Sequence, residues 1–150
     1  MTAKAISTHR SPESSVRGLS RWTLRLDGGF LAVAGTFGLL ADVTGHFFGV
    51  GPMAEMFGSP YTIGGFEAHG LAVILGVLLL RAAKQADRRS WHALGLSVHL
   101  LLGGANLLFW SSFLRLDVLM IGVVTTALHI VFIGTQAACL WQGTSAKHSG

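Results

Sequence analysis

Residues 60–80 read PYTIGGFEAHGLAVILGVLLL, an almost wholly apolar run. It is long enough to cross a bilayer as a helix, since about 20 helical residues suffice. Yet the run carries Glu67 and His69 near its start. An ionisable group at bilayer depth costs roughly 2.5–3.5 kcal/mol on insertion scales, so it normally faces protein and finds a partner there. One stretch therefore asks for a helix, a membrane and a polar interior at once.

Three further apolar runs accompany it, and the expected spans are residues 28–50, 61–80, 91–113 and 118–141. Only 12% of the 150 residues are charged and 51% are hydrophobic, with a mean hydropathy of +0.56. A soluble domain carries about 25% charged residues. The expected fold is an all-α, integral membrane four-helix bundle running up-down-up-down, its four spans forming one domain over residues 28–141. Residues 1–14 are polar and Ser-rich and read as a disordered tail, and residues 142–150 as a polar tail. Between tail and first span, residues 15–27 place Arg17, Arg21 and Arg25 opposite Leu19, Trp22 and Leu26. That pattern predicts a short basic amphipathic helix in the headgroup region, with a basic flank that orients the first span as the plainer alternative.

The net charge of +4 does not point to nucleic acid, because the basic residues gather in the N-terminal segment and in the loop at 81–90. Such clusters meet lipid headgroups and set orientation. Residues 51–60 hold no Lys or Arg, and the third connection holds only Arg115. Both termini are therefore expected on the cytoplasmic side, in the inner or plasma membrane of a bacterium. Trp22, Trp91 and Trp141 fall at the inner boundaries so defined, and Tyr61 and Trp110 near the outer ones. The lone Cys139 has no partner for an internal disulfide.

Placed by depth, the polar residues of the spans coincide. Asp42 and His46 lie late in an outward span, and Glu67 and His69 early in an inward one. Asn106 lies late in the third span, and Thr125 and Thr126 early in the fourth. All seven should occupy the outer half of the bilayer, with His99 and His129 nearer the midplane. Alternating span directions would scatter unrelated polar residues over both leaflets, so a shared pocket is expected. Its candidate lining is Asp42, His46, Glu67, His69, His99, Asn106, Thr125 and His129.

Plainer roles exist for each. Asp42 and His46 are one turn apart and can pair with each other. Glu67 and His69 point about 200° apart, so only one can face the bundle axis, and Glu67 is the expected one. His92, His99 and Asn106 recur every seven residues and share a stripe that could be an interhelical strut. His92 itself falls at the interface. Imidazoles facing each other at one depth can hold haem iron. His99 with His129, or His69 with His129, is such a candidate pair, and the carboxylate-histidine set could hold another metal. No diagnostic ligand spacing supports either, and no nucleophile-base or nucleotide motif occurs.

Within the second span, Gly65-Phe66-Glu67-Ala68-His69-Gly70-Leu71 is followed by Gly76, Leu78-Leu79-Leu80 and Arg81. This resembles the DoxX/DoxD-like small four-span membrane proteins, whose second helix carries a G-x-E-x-x-G-L motif, then a Gly and a basic turn. Arg25 and Gly29 resemble the start of that family's first helix, so the likeness covers residues 25–81. It departs late in the first span, where Asp42 and His46 stand in place of a basic residue. The resemblance implies an accessory membrane subunit of respiratory or sulfur redox systems, with Glu67 as a key residue. The expected function is such a subunit, or a protein binding a quinone-like molecule, with the bilayer and a membrane protein or second copy as partners. A haem b or metal electron carrier, a small transporter and a purely structural assembly subunit are the alternatives.

Overall fold

A computed structural model describes the backbone of residues 12–145 and the side chains of residues 18–142. Most of the expected N-terminal tail, and residues 146–150 of the C-terminal one, lie outside the described residues. The described chain contains helices and no strand. Helix α1 (Pro12–Phe48) is followed by a 3-10 turn (Ala54–Met56), then α2 (Thr62–Ala82) and α3 (Arg89–Leu108). A short α4 (Trp110–Arg115) and a long α5 (Leu119–Ser145) complete it. Gly18–Phe48, Thr62–Ala82, Arg89–Leu108 and Leu119–Gln142 are each long and apolar enough to cross a membrane.

The surface is inverted relative to a soluble bundle. Phe37, Leu101 and Leu108 are 70%, 72% and 82% exposed, whereas Asp27, His99 and Gln136 are wholly buried. Apolar side chains outside and satisfied polar ones inside is the arrangement a hydrocarbon solvent selects.

Helix α1 organises the bundle because it presents two faces. Gly28, Ala32, Gly35, Gly38, Asp42 and Gly45 recur at steps of three or four and form one stripe. That stripe meets α2 at close range. A Cβ on Gly28 would lie 2.7 Å from the Gly76 carbonyl oxygen, and one on Gly76 would lie 2.5 Å from the Ala32 amide. Only glycine permits this approach, and in lipid such contact is what holds helices together. Ser20, Leu24, Asp27, Leu31 and Ala34 form the second stripe, turned toward α3 and α5. Helices α3 and α5 pack against each other in turn, so the molecule consists of two helix pairs joined chiefly through α1.

The alternating helices define two ends. One, the terminal end, carries the start of α1, the turn at 83–88 and the close of α5. Here Leu24, Leu31, Leu79, Ala82 and Ala83 form the apolar core, with Trp91 packed against it. The Trp91 indole donates to Gln85 Oε1 at 2.9 Å, pinning the turn. At the far end, Gly49 (φ +64°) closes α1 by donating its N–H to the Gly45 carbonyl at 3.0 Å.

Two boundaries differ from expectation. Residues 15–27 are not a separate interfacial helix, because α1 runs through them unbroken and buries Leu24 and Asp27 completely. Leu19, Trp22 and Leu26 do point outward together, as expected for an apolar face, and Arg25 stacks on the Trp22 ring at 5.2 Å. The third span ends at Leu108 rather than 113, since the backbone leaves the helix at Phe109 (φ −106°, ψ 28°). The separate α4 brings Phe113 onto Gly122 of α5, where a Cβ would lie 2.6 Å from the ring. Asp117, at φ 52°, then reverses the chain, with Val118 N–H bonded to the Phe113 carbonyl at 3.0 Å.

Candidate functional site

The second stripe of α1 carries the chemistry. Asp27, four residues after Thr23 and two after Arg25, enters the interior between α3 and α5. His99 Nε2 lies 2.7 Å from its Oδ1, and the Gln136 amide nitrogen bonds its Oδ2. On its other side Gln136 offers Oε1 to His92 Nδ1 at 2.5 Å, and His92 Nε2 meets the Ser20 hydroxyl at 2.7 Å. Beyond Asp27, His99 Nδ1 contacts His129 Nδ1 at 2.8 Å. Ser20, His92, Gln136, Asp27, His99 and His129 thus form one continuous hydrogen-bonded series across three helices.

Proton positions follow from who can donate. Gln136 Oε1 carries no hydrogen, so His92 Nδ1–H donates to it, and the bare His92 Nε2 accepts from Ser20. With Asp27 ionised, Gln136 N–H and His99 Nε2–H both donate to the carboxylate. Between His99 and His129 one Nδ1 donates and the other accepts. An amide does not pass a proton on, so Gln136 and His92 hold the carboxylate. Asp27, His99 and His129 form the part that can relay one. Phe30 and Phe132 sheathe the imidazoles, with Phe132 stacked on His99 at 4.9 Å between centroids and Phe30 edge-on to His129 at 5.9 Å.

The relay ends at a cavity. A space of about 820 Å³ lies between the helix pairs, walled by apolar residues such as Phe30, Ala34, Phe37, Leu102 and Phe113. The wall is interrupted by His69 from α2, Asn106 from α3, and Thr125 and His129 from α5. Asn106 donates to Thr125 and Thr126 hydroxyls at 3.1 Å each. His129 uses Nδ1 for His99, and among the described residues no side chain bonds its Nε2.

Of the eight residues expected to line a pocket, four meet at this cavity: His69, Asn106, Thr125 and His129. His99 lies directly behind His129, fully buried. Asp42 and His46 line a smaller recess of about 280 Å³ with Ser59 and Thr62. They do not pair with each other. Asp42 bonds His69 Nδ1 at 2.7 Å, because Gly65 leaves room for its carboxylate on the α2 side (a Cβ there would stand 3.1 Å from Oδ1). His46 Nδ1 is buried with no hydrogen-bond partner among the described residues, and its ring lies edge-on to Phe47. Glu67 requires correction: it is exposed, and His69 takes the inward position. The glycine stripe of α1 sets this rotation, because Gly38 yields the space that the His69 ring fills.

Polar convergence is therefore not confined to the half nearer the far end. Asp27, His92, Gln136 and His99 lie toward the terminal end, and Asp27 and Gln136 were no part of the expected set. A usable signal existed in the heptad steps His92–His99–Asn106 and His129–Gln136, with Asp27 on the stripe seven residues after Ser20.

The histidine pairs also bear on haem. A metal–imidazole bond is about 2.0–2.1 Å, so two axial nitrogens need about 4 Å between them. The 2.8 Å separation of the His99 and His129 Nδ1 atoms does not admit an ion. Among the described residues no group of three or more His, Cys, Asp or Glu side chains is gathered to hold a metal. Comparisons with protein-family models, with curated proteins and with solved structures return no match to this chain.

Proposed function

We propose that this chain is a small integral membrane protein that binds an apolar, quinone-like molecule between its two helix pairs, as the ligand-binding or accessory subunit of a membrane redox system. The cavity carries this reading. Ligand sites are typically about 300–1,000 Å³, mostly apolar, with a few placed polar groups, and this one matches in size and lining. His69 and His129 reach it from different helix pairs, and each is backed by a carboxylate, Asp42 directly and Asp27 through His99. A ring with oxygens at opposite ends suits such a pair. The likeness of residues 25–81 to DoxX-like proteins agrees with this reading, although Glu67 plays no part in the cavity. The gathering of Lys and Arg in the N-terminal segment and the 81–90 loop supports a cytoplasmic side for both termini.

The test is binding. Protein purified in mild detergent should carry an extractable apolar molecule visible by mass spectrometry, or take up a decyl-substituted benzoquinone at one per chain. Ala105→Trp, which puts an indole into the cavity from α3 and replaces no member of the relay, should abolish uptake. Uptake that survives this substitution, or no binding by the parent protein, overturns the reading. Haem b held by His69 and His129 is the second reading, favoured by their shared cavity and carboxylate backing. A Soret band in the purified protein would select it.

A further inference from the structure

We infer that Asp27, His99 and His129 form a proton acceptor for a ligand hydroxyl, so that the cavity takes up a phenol- or quinol-type molecule as its anion. This rests on the cavity being a ligand site, as proposed above, and adds what that site does to the ligand.

His129 Nε2 is bare when a neutral His99 keeps its proton on Nε2 for Asp27 and so accepts from His129 Nδ1–H. The His129 ring is fixed by the Nδ1 contact to His99 and by Phe30 against its edge, and the residue forms part of the cavity wall. When a ligand O–H bond breaks toward Nε2, an N–H bond forms there. The His129 Nδ1–H bond then breaks and an N–H bond forms at His99 Nδ1. His99, which already donates Nε2–H to Asp27, becomes an imidazolium. The ligand keeps the electron pair of its O–H bond and becomes an anion accepting from His129 Nε2–H. Two protons have each moved one hop, leaving the positive charge on His99; no electron has moved, and no further reactant is needed.

The Asp27 carboxylate offsets part of the cost of the cation that the transfer creates on His99. An ionised Asp27 faces only neutral donors before the transfer, and an isolated buried charge is costly. After transfer it faces the His99 cation at 2.7 Å. An acid that holds an imidazole in one tautomer and stabilises its cation is the division of labour in a Ser-His-Asp triad, here extended by a second imidazole. His129 would touch the ligand, and Asp27 and His99 act through it. Among the described residues, further titratable groups near the relay are His92, from α3, bonded to Gln136 and interacting with Arg88, and His69, from α2, across the cavity and bonded to Asp42. Among the described residues no Lys or Arg lines the cavity to take over the role.

An alkyl-substituted nitrophenol, whose phenolate absorbs in the visible, tests this on the full chain in nanodiscs. At a fixed pH near neutral, the ratio of phenolate to phenol for the bound probe should exceed that in protein-free nanodiscs about tenfold, one pKa unit. His129→Gln and Asp27→Asn should remove the excess. The methyl ether of the probe has no proton to give and should bind all three proteins, which reports that each is folded. A phenol that binds but ionises as it does in lipid overturns the relay and leaves the cavity reading standing. An ionisation excess that persists in a His129→Gln protein able to bind the ether also overturns it. If neither probe nor ether binds the parent protein, both readings fall.

Discussion

His99 and His129 meet Nδ1 to Nδ1 at 2.8 Å, so a single hydrogen must serve both rings, and His99 is held from behind by Asp27 at 2.7 Å. Removing either end of the Asp27–His99 contact strands a buried polar group, at a cost of about 1–3 kcal/mol. Asp27→Ala and His99→Ala should each destabilise the chain by that amount, measured by denaturant titration in detergent. The double substitution should cost less than the sum by about 1–2 kcal/mol, because the second change removes the group that the first left unpaired. Additive losses would show that the two residues do not act as a pair.

The Asp42–His69 contact ties α1 to α2, with Asp42 buried and His69 about one-third exposed. Asp42→Ala should cost about 1 kcal/mol in the same titration, the worth of a part-buried hydrogen bond. Glu67→Gln alters a side chain on the outer surface and should change stability by less than about 0.5 kcal/mol. It should also leave uptake of the benzoquinone intact. A large loss of either kind on Glu67→Gln would place Glu67, not His69, at the working face of α2.

Cys139 packs against α1 and donates its thiol to Thr23 Oγ1 at 3.6 Å. Its reaction with a maleimide requires α5 to part from α1. Native protein in mild detergent should label on the order of ten times slower than protein opened in strong detergent, as expected for a site reached through local opening. Equal rates in the two states would contradict the packing of α5 against the start of α1.

The apolar runs made the four membrane-length helices legible, since a chain this hydrophobic has few other ways to satisfy its backbone. The stripe of His92, His99 and Asn106 was legible as well, because seven residues is two helical turns whatever the helix packs on. Asp27 was not. It follows Arg21 and Arg25 within a basic, Trp-bearing stretch, and local pattern assigns such a stretch to the headgroups. Only the continuity of α1 carries Asp27 inward. The choice between Glu67 and His69 was equally hidden, because periodicity separates two faces of α2 without saying which one another helix will cover. The glycines of α1 decide that. The end of the third span at Leu108 was hidden as well, since Phe109, Trp110 and Phe113 carry bulky apolar side chains on past it.

Gly95 supplies a test of the relay that leaves every member of it in place. It lies on the inward stripe of α3 between His92 and His99, and a Cβ there would stand 2.5 Å from Gln136 Nε2 and 3.1 Å from Asp27 Oδ2. The missing side chain is the room in which the amide meets the carboxylate. Gly95→Ala should displace Gln136 from Asp27 and cost about 1–3 kcal/mol, the range for forcing a methyl into a filled interior. Helix propensity alone would favour alanine by up to about 1 kcal/mol. Gly104→Ala, on the same helix with nothing within 4 Å of the added carbon, isolates that term and should be neutral or stabilising. Denaturant titration of the two variants should therefore move them in opposite directions. If Gly95→Ala is as well tolerated as Gly104→Ala, the interior has slack around Asp27, and a carboxylate so loosely held could not fix the proton on one side of His99.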